Sequence, residues 1–144
     1  MRRNRTEDPQ RTMTPTERPL SPHLQIYRWP ITMAMSIAHR VTGAGLYLGT
    51  LLLAWWLIAA ASGPNAYARV QWFMGTWIGR LLLLGYTWAL IHHMLGGIRH
   101  LIWDTLHGLE RGEREWLAAA TLGGSIVLTL LAWLIGYLVM GGLL

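Results

Sequence analysis

VTGAGLYLGTLLLAWWLIAAASGPNAYA, residues 41–68, is a run of 28 residues between Arg40 and Arg69 without a single Arg, Lys, Asp or Glu. About 20 consecutive apolar residues suffice for a helix to cross the hydrocarbon core of a bilayer. Two further uncharged runs follow: 18 residues between Arg80 and Arg99, and 29 from Trp116 to Leu144. With 53% hydrophobic and 13% charged residues, the 144-residue chain falls well below the charge content of soluble domains. Its mean hydropathy is +0.31. The pattern predicts an all-α membrane protein with three transmembrane helices, at approximately 31–62, 72–103 and 116–140.

The flanks agree. Pro30 suits the first turn of a helix. Gly63-Pro64-Asn65 reads as a stop and turn. Trp72, Trp77, Trp103 and Trp116 lie near the expected span ends, where interfacial aromatics are favoured. Residues 1–22 form a polar tail rich in Pro, Thr and Arg, with too little apolar surface to pack alone. The tail has no apolar centre, so it does not read as a secretory signal. Glu7, Asp8 and Glu17 argue against a mitochondrial transit peptide. The membrane unit is expected over 23–144.

All twelve basic residues are arginine, and the net charge is +5. Six arginines up to Arg28 precede the first span, Arg69 follows it, and Arg111 and Arg114 lie between the second and third. The positive-inside rule then places the N-terminus inside and the C-terminus outside. The basic excess belongs to this orientation, and no nucleic-acid partner is expected. The absence of cysteine excludes disulfides, thiolate chemistry and cysteine-ligated clusters. Any metal would have to be held by His or carboxylate.

Ionisable residues inside spans are costly and normally face a cavity or the protein interior. Two groups stand out: Ser36-Ile37-Ala38-His39-Arg40 in the first span, and His92-His93, Arg99-His100 and Asp104 in the second. With inner edges near Ile31 and Asp104, His39 lies roughly 12 Å deep, His93 roughly 16 Å and His100 roughly 6 Å. Antiparallel helices thus deliver cations to one zone. Ser36 and Arg40, four apart, share a face. His93 shares a stripe with Gly97 and His100, against which a flat ligand can lie. Gly43, Gly45, Gly49 and Gly96-Gly97 also suit close helix packing. A buried histidine can be a packing residue, and Arg40 and Arg99 can snorkel to the interface. His92 and His93 diverge by about 100°, so both cannot serve one ligand. His100 and Asp104 could pair. These residues alone leave a haem or quinone site and simple packing both open, and the roles of His92, His100 and Asp104 undecided.

The stretch Arg18-Pro19-Leu20-Ser21-Pro22-His23-Leu24-Gln25-Ile26-Tyr27, with Ser36-Ile37-Ala38-His39-Arg40-Val41-Thr42-Gly43, resembles the cytochrome b556 large anchor subunits of succinate dehydrogenase (respiratory complex II). His93-Met94-Leu95-Gly96-Gly97-Ile98-Arg99-His100-Leu101-Ile102-Trp103-Asp104 is similar to the second signature of that family, H-x-x-x-G-x-R-H-x-x-x-D. The resemblance implies one half of a haem-binding anchor bundle, completed by a second small anchor subunit, beneath a flavoprotein and an iron–sulfur subunit. It implies His93 as an axial ligand of haem b. It places His39, Arg40, Arg99 and His100 on the haem side and Ser36 and Arg40 at the ubiquinone pocket. The tail before the first span would pack on the iron–sulfur subunit. The chain would sit in the inner (cytoplasmic) membrane rather than that of mitochondria, and alone would hold no complete active site. A fumarate reductase anchor and a haem-free structural anchor are the alternatives.

Overall fold

A computed structural model describes residues 28–141; the tail and its Arg18-to-Tyr27 motif lie outside the described residues. Among the described residues four helices follow in order: α1 Ile31–Ser62, α2 Pro64–Gly75, α3 Trp77–Asp104 and α4 Arg111–Met140. Among the described residues, α1, α3 and α4 are long and apolar enough to cross a membrane. That is the all-α, three-span plan expected from the sequence.

Each boundary has a local cause. Pro30, extended at φ −67° and ψ 148°, precedes α1. Its carbonyl accepts from the amides of Met33 and Ala34 at 3.0 and 3.2 Å. Gly63 ends α1 at φ +111°, a conformation side chains other than glycine's rarely adopt. Pro64 then opens α2, where its missing N–H costs nothing.

The second span starts at Trp77, later than the expected Trp72, because the chain breaks at Thr76. The Thr76 hydroxyl donates to the Phe73 carbonyl at 2.6 Å and accepts from the Gly79 amide at 3.2 Å. Threonine thereby competes with the helix for backbone partners and caps α3. Helix α4 begins at Arg111, ahead of the expected Trp116. Glu110 and Glu113 form a reciprocal capping box there, so a charged turn precedes the apolar segment.

Helices α1 and α3 each touch the other three, α3 most extensively. Most large apolar side chains point outward, as expected where lipid is the solvent. Apart from Met35 on α1 and Val70 on α2, the buried positions are mostly small or polar: Thr42, Gly49 and Ala59 on α1, and Ala118, Thr121, Ser125 and Thr129 on α4. Apolar burial drives little association between helices in lipid, so close contact of small residues and hydrogen bonds take over. A Cβ on Gly49 would collide with the Tyr86 ring.

Candidate functional site

The α1–α3 contact is built from two reciprocal insertions. The His93 ring of α3 seats on Gly43 of α1, where an added Cβ would lie 2.9 Å from His93 Cε1. The His39 ring of α1 seats on Gly96 of α3, leaving no room for a Cβ there. The two imidazoles therefore meet face to face, centroids 3.9 Å apart and planes within 4°. His100 joins them, 5.3 Å from His39 and tilted by 56°. Convergence of His39, His93 and His100 was expected from their depths.

The glycines of the two helices divide into contact points and open positions. Gly97 opens on empty space. The close approaches fall to Gly43 and Gly96, which serve imidazole-against-backbone packing.

Tautomers follow from the partners. His93 Nδ1 lies 3.1 Å from the His39 carbonyl. A carbonyl only accepts, so Nδ1 carries the proton and Nε2 keeps its lone pair. His92, on the opposite side of α3, is fully buried. Its Nδ1 is 3.2 Å from Ser125 Oγ, and that hydroxyl donates to the Leu122 carbonyl at 2.8 Å. His92 Nδ1–H therefore donates to Ser125, and the ring packs on Trp88 at 5.1 Å. Adjacent histidines are thus divided between α4 and α1, as the 100° step requires.

Arg99 is 3% exposed, and its Nε and Nη1 have no hydrogen-bond partner. Its guanidinium lies 5.1 Å from the Trp103 ring centroid. His100 meets the edge of the same ring, and Trp103 Nε1 donates to the Gly108 carbonyl, tying the α3–α4 loop to the helix end. Unpaired donors on a buried cation are expensive unless an anion completes them. His39 Nδ1 is likewise buried and unpartnered.

Arg40 is exposed and Ser36 half-buried, outside the histidine stack. His100 and Asp104 are both exposed and no hydrogen bond joins them, so the pair conceivable from their spacing does not form. Among the described residues no three His, Asp or Glu side chains are arranged to hold a bare metal ion. The donor set does fit a flat, anionic iron porphyrin: an imidazole with a free Nε2 and, six residues along the same helix, a buried guanidinium lacking an anion. Ser125, invisible to a reading that took the third span only as apolar, is the partner of His92. Its signal was the spacing of Ala118, Thr121, Ser125 and Thr129.

Residues 14–132 match the family described as succinate dehydrogenase/fumarate reductase transmembrane subunit. The chain is 43% identical over 118 residues to the succinate dehydrogenase cytochrome b556 subunit of Paracoccus denitrificans, covering 82% of this chain and 91% of the relative. The cytochrome b556 subunit of Rickettsia felis is 37% identical over 117 residues, covering 81% and 91% respectively. The mitochondrial cytochrome b560 subunit of Sus scrofa is 38% identical over 119 residues, covering 80% of this chain and 66% of that protein. With both signature segments, the first two spans and most of the third inside the matched region, this chain belongs to the succinate dehydrogenase/fumarate reductase transmembrane subunit family.

Proposed function

We propose that this subunit anchors a succinate:ubiquinone oxidoreductase in the inner membrane of a bacterial cell, contributes one axial ligand to haem b and forms part of the ubiquinone-reduction site. The relatives' names, succinate dehydrogenase and cytochrome b, support the complex and the pigment. The observation that carries the ligand assignment is the bond from His93 Nδ1 to the His39 carbonyl. It fixes the tautomer that leaves Nε2 as a donor, and it strengthens that donor.

A second small anchor subunit would supply the other histidine that holds the haem. Arg99 and His39, with buried nitrogens lacking partners, would hold the haem's carboxylates, with His100 and Arg40 lining that edge. When bound, haem exchanges one electron at its iron. Ubiquinone takes up two electrons, which originate in succinate, and two protons. Ser36 hydroxyl and Arg40 guanidinium donate to its carbonyl oxygens and stabilise the developing negative charge. A guanidinium is not a proton source, so the protons come from water. Both residues lie outside the three-helix core, which leaves their pocket to be closed by the second anchor and the iron–sulfur subunit. The flavoprotein and iron–sulfur subunits hold the redox groups that this cysteine-free chain lacks.

The test is the intact complex. Its reduced-minus-oxidised spectrum should show a b-type band that His93→Ala abolishes or strongly alters. An unaltered band in an assembled His93→Ala complex would refute the ligand assignment, and a wild-type complex without pigment would establish a purely structural anchor. Ser36→Ala and Arg40→Leu should depress quinone reduction while succinate oxidation with a soluble acceptor persists. Equal loss of both activities would point to failed assembly.

A further inference from the structure

A second cavity lies at the other end of the molecule. Helices α2, α3 and α4 enclose a cleft of about 570 Å³ whose lining includes Gln71, Arg80, Leu83, Trp133 and Tyr137. That size is typical of small-molecule sites, about 300–1,000 Å³. Arg80 stands thirteen residues before His93 on α3, so about 20 Å of helix separates the cleft from the histidine stack. None of its lining residues belongs to the haem or quinone assignments.

Its chemistry is graded along its length. Thr87 on α3 meets Trp133 on α4 through the indole N–H at 3.4 Å, which sets the antiparallel register and places Arg80 level with Tyr137 and Met140. The Thr87 hydroxyl is itself used, donating to the Leu83 carbonyl at 2.7 Å. The inner wall of Leu83, Ala132 and Trp133 therefore presents apolar surface. At the mouth, Arg80 is exposed and its guanidinium has no hydrogen bond or ion pair among the described residues. No carboxylate side chain is available to it at this end, because the sequence has no Asp or Glu between Glu17 and Asp104 or after Glu115. Arg80 also sits only about 4.5 Å along the helix from Trp77, at the depth of lipid headgroups.

We propose that this cleft holds one anionic phospholipid, its phosphate on the Arg80 guanidinium at the mouth and an acyl chain along Leu83, Ala132 and Gly136. A guanidinium matches a phosphate bidentately, and the apolar inner wall accepts a chain but no second polar group. An uncharged quinone would leave the cation unneutralised.

The test uses the purified complex. Bound lipid is measured by native mass spectrometry, and thermal stability is followed as anionic phosphatidylglycerol, zwitterionic phosphatidylcholine or inorganic phosphate is added. Wild type should retain anionic phospholipid and be stabilised by phosphatidylglycerol, but not by the other two. Arg80→Gln should weaken that binding on the order of tenfold, the loss of a charge-assisted contact. Gly136→Leu should do the same by filling the cleft, since a Cβ there meets nothing within 4 Å and the side chain enters the open space. Arg69→Gln, at the same end but outside the cleft lining, should bind as wild type, and the haem spectrum should be unchanged in all three. Equal lipid retention by Arg80→Gln, equal stabilisation by inorganic phosphate, or a cross-link from Ala132→Cys to the second anchor showing the cleft filled by protein would each overturn the proposal.

Discussion

At the scale of single residues, the adjacent histidines are the sharpest case. His92 is locked toward α4 by Ser125, whereas His93 is turned toward α1 and the His39 carbonyl. Replacing each with an aromatic of similar shape should separate their roles. A complex with His92→Phe is expected to keep its b-type band, and one with His93→Phe to lose it; a reversed result would exchange the ligand assignment. Ser125→Ala leaves the buried His92 Nδ1–H without an acceptor. It should lower stability by about 0.5–1.5 kcal/mol, the range for interhelical hydrogen bonds in membranes. Thermal unfolding of the detergent-solubilised complex would read that loss while the spectrum stays unchanged.

At the scale of elements, glycine decides how closely α1 and α3 approach. Gly43 and Gly96 take the rings of His93 and His39, and Gly49 takes the Tyr86 ring. Gly49 lies away from the histidine stack, which makes it the cleaner probe. Gly49→Ala should destabilise the bundle by about 1–3 kcal/mol through overpacking. Adding Tyr86→Leu should recover part of that loss, since the clash is with the ring. A double mutant no more stable than Gly49→Ala alone would show that the Gly49–Tyr86 contact does not govern the approach. Gly45 and Gly97 have nothing of this chain within 4 Å of where a Cβ would stand, so neither sets the α1–α3 approach.

At the scale of the whole molecule, the arginine distribution predicts that the α1–α2 connection faces outside and the α3–α4 loop inside. The absence of native cysteine makes the measurement direct. A membrane-impermeant thiol reagent added to intact cells should label Asn65→Cys and spare Leu109→Cys until the membrane is opened. The opposite pattern would invert the topology.

The sequence alone determined that there are three spans, where the first begins and ends, and which ionisable residues lie at lipid depth. Hydropathy and charge are local properties, and the bilayer enforces them segment by segment. The signature segments also made the family legible, because ligand-bearing residue types recur at fixed helical spacings. Three matters waited for the tertiary structure: which glycines are contact points, which histidine faces which helix, and that His100 and Asp104 do not pair. These depend on the rotation of α3 between α1 and α4. That rotation is set by packing across helices far apart in sequence, such as His92 on Ser125 and His39 on Gly96, and no local pattern encodes it.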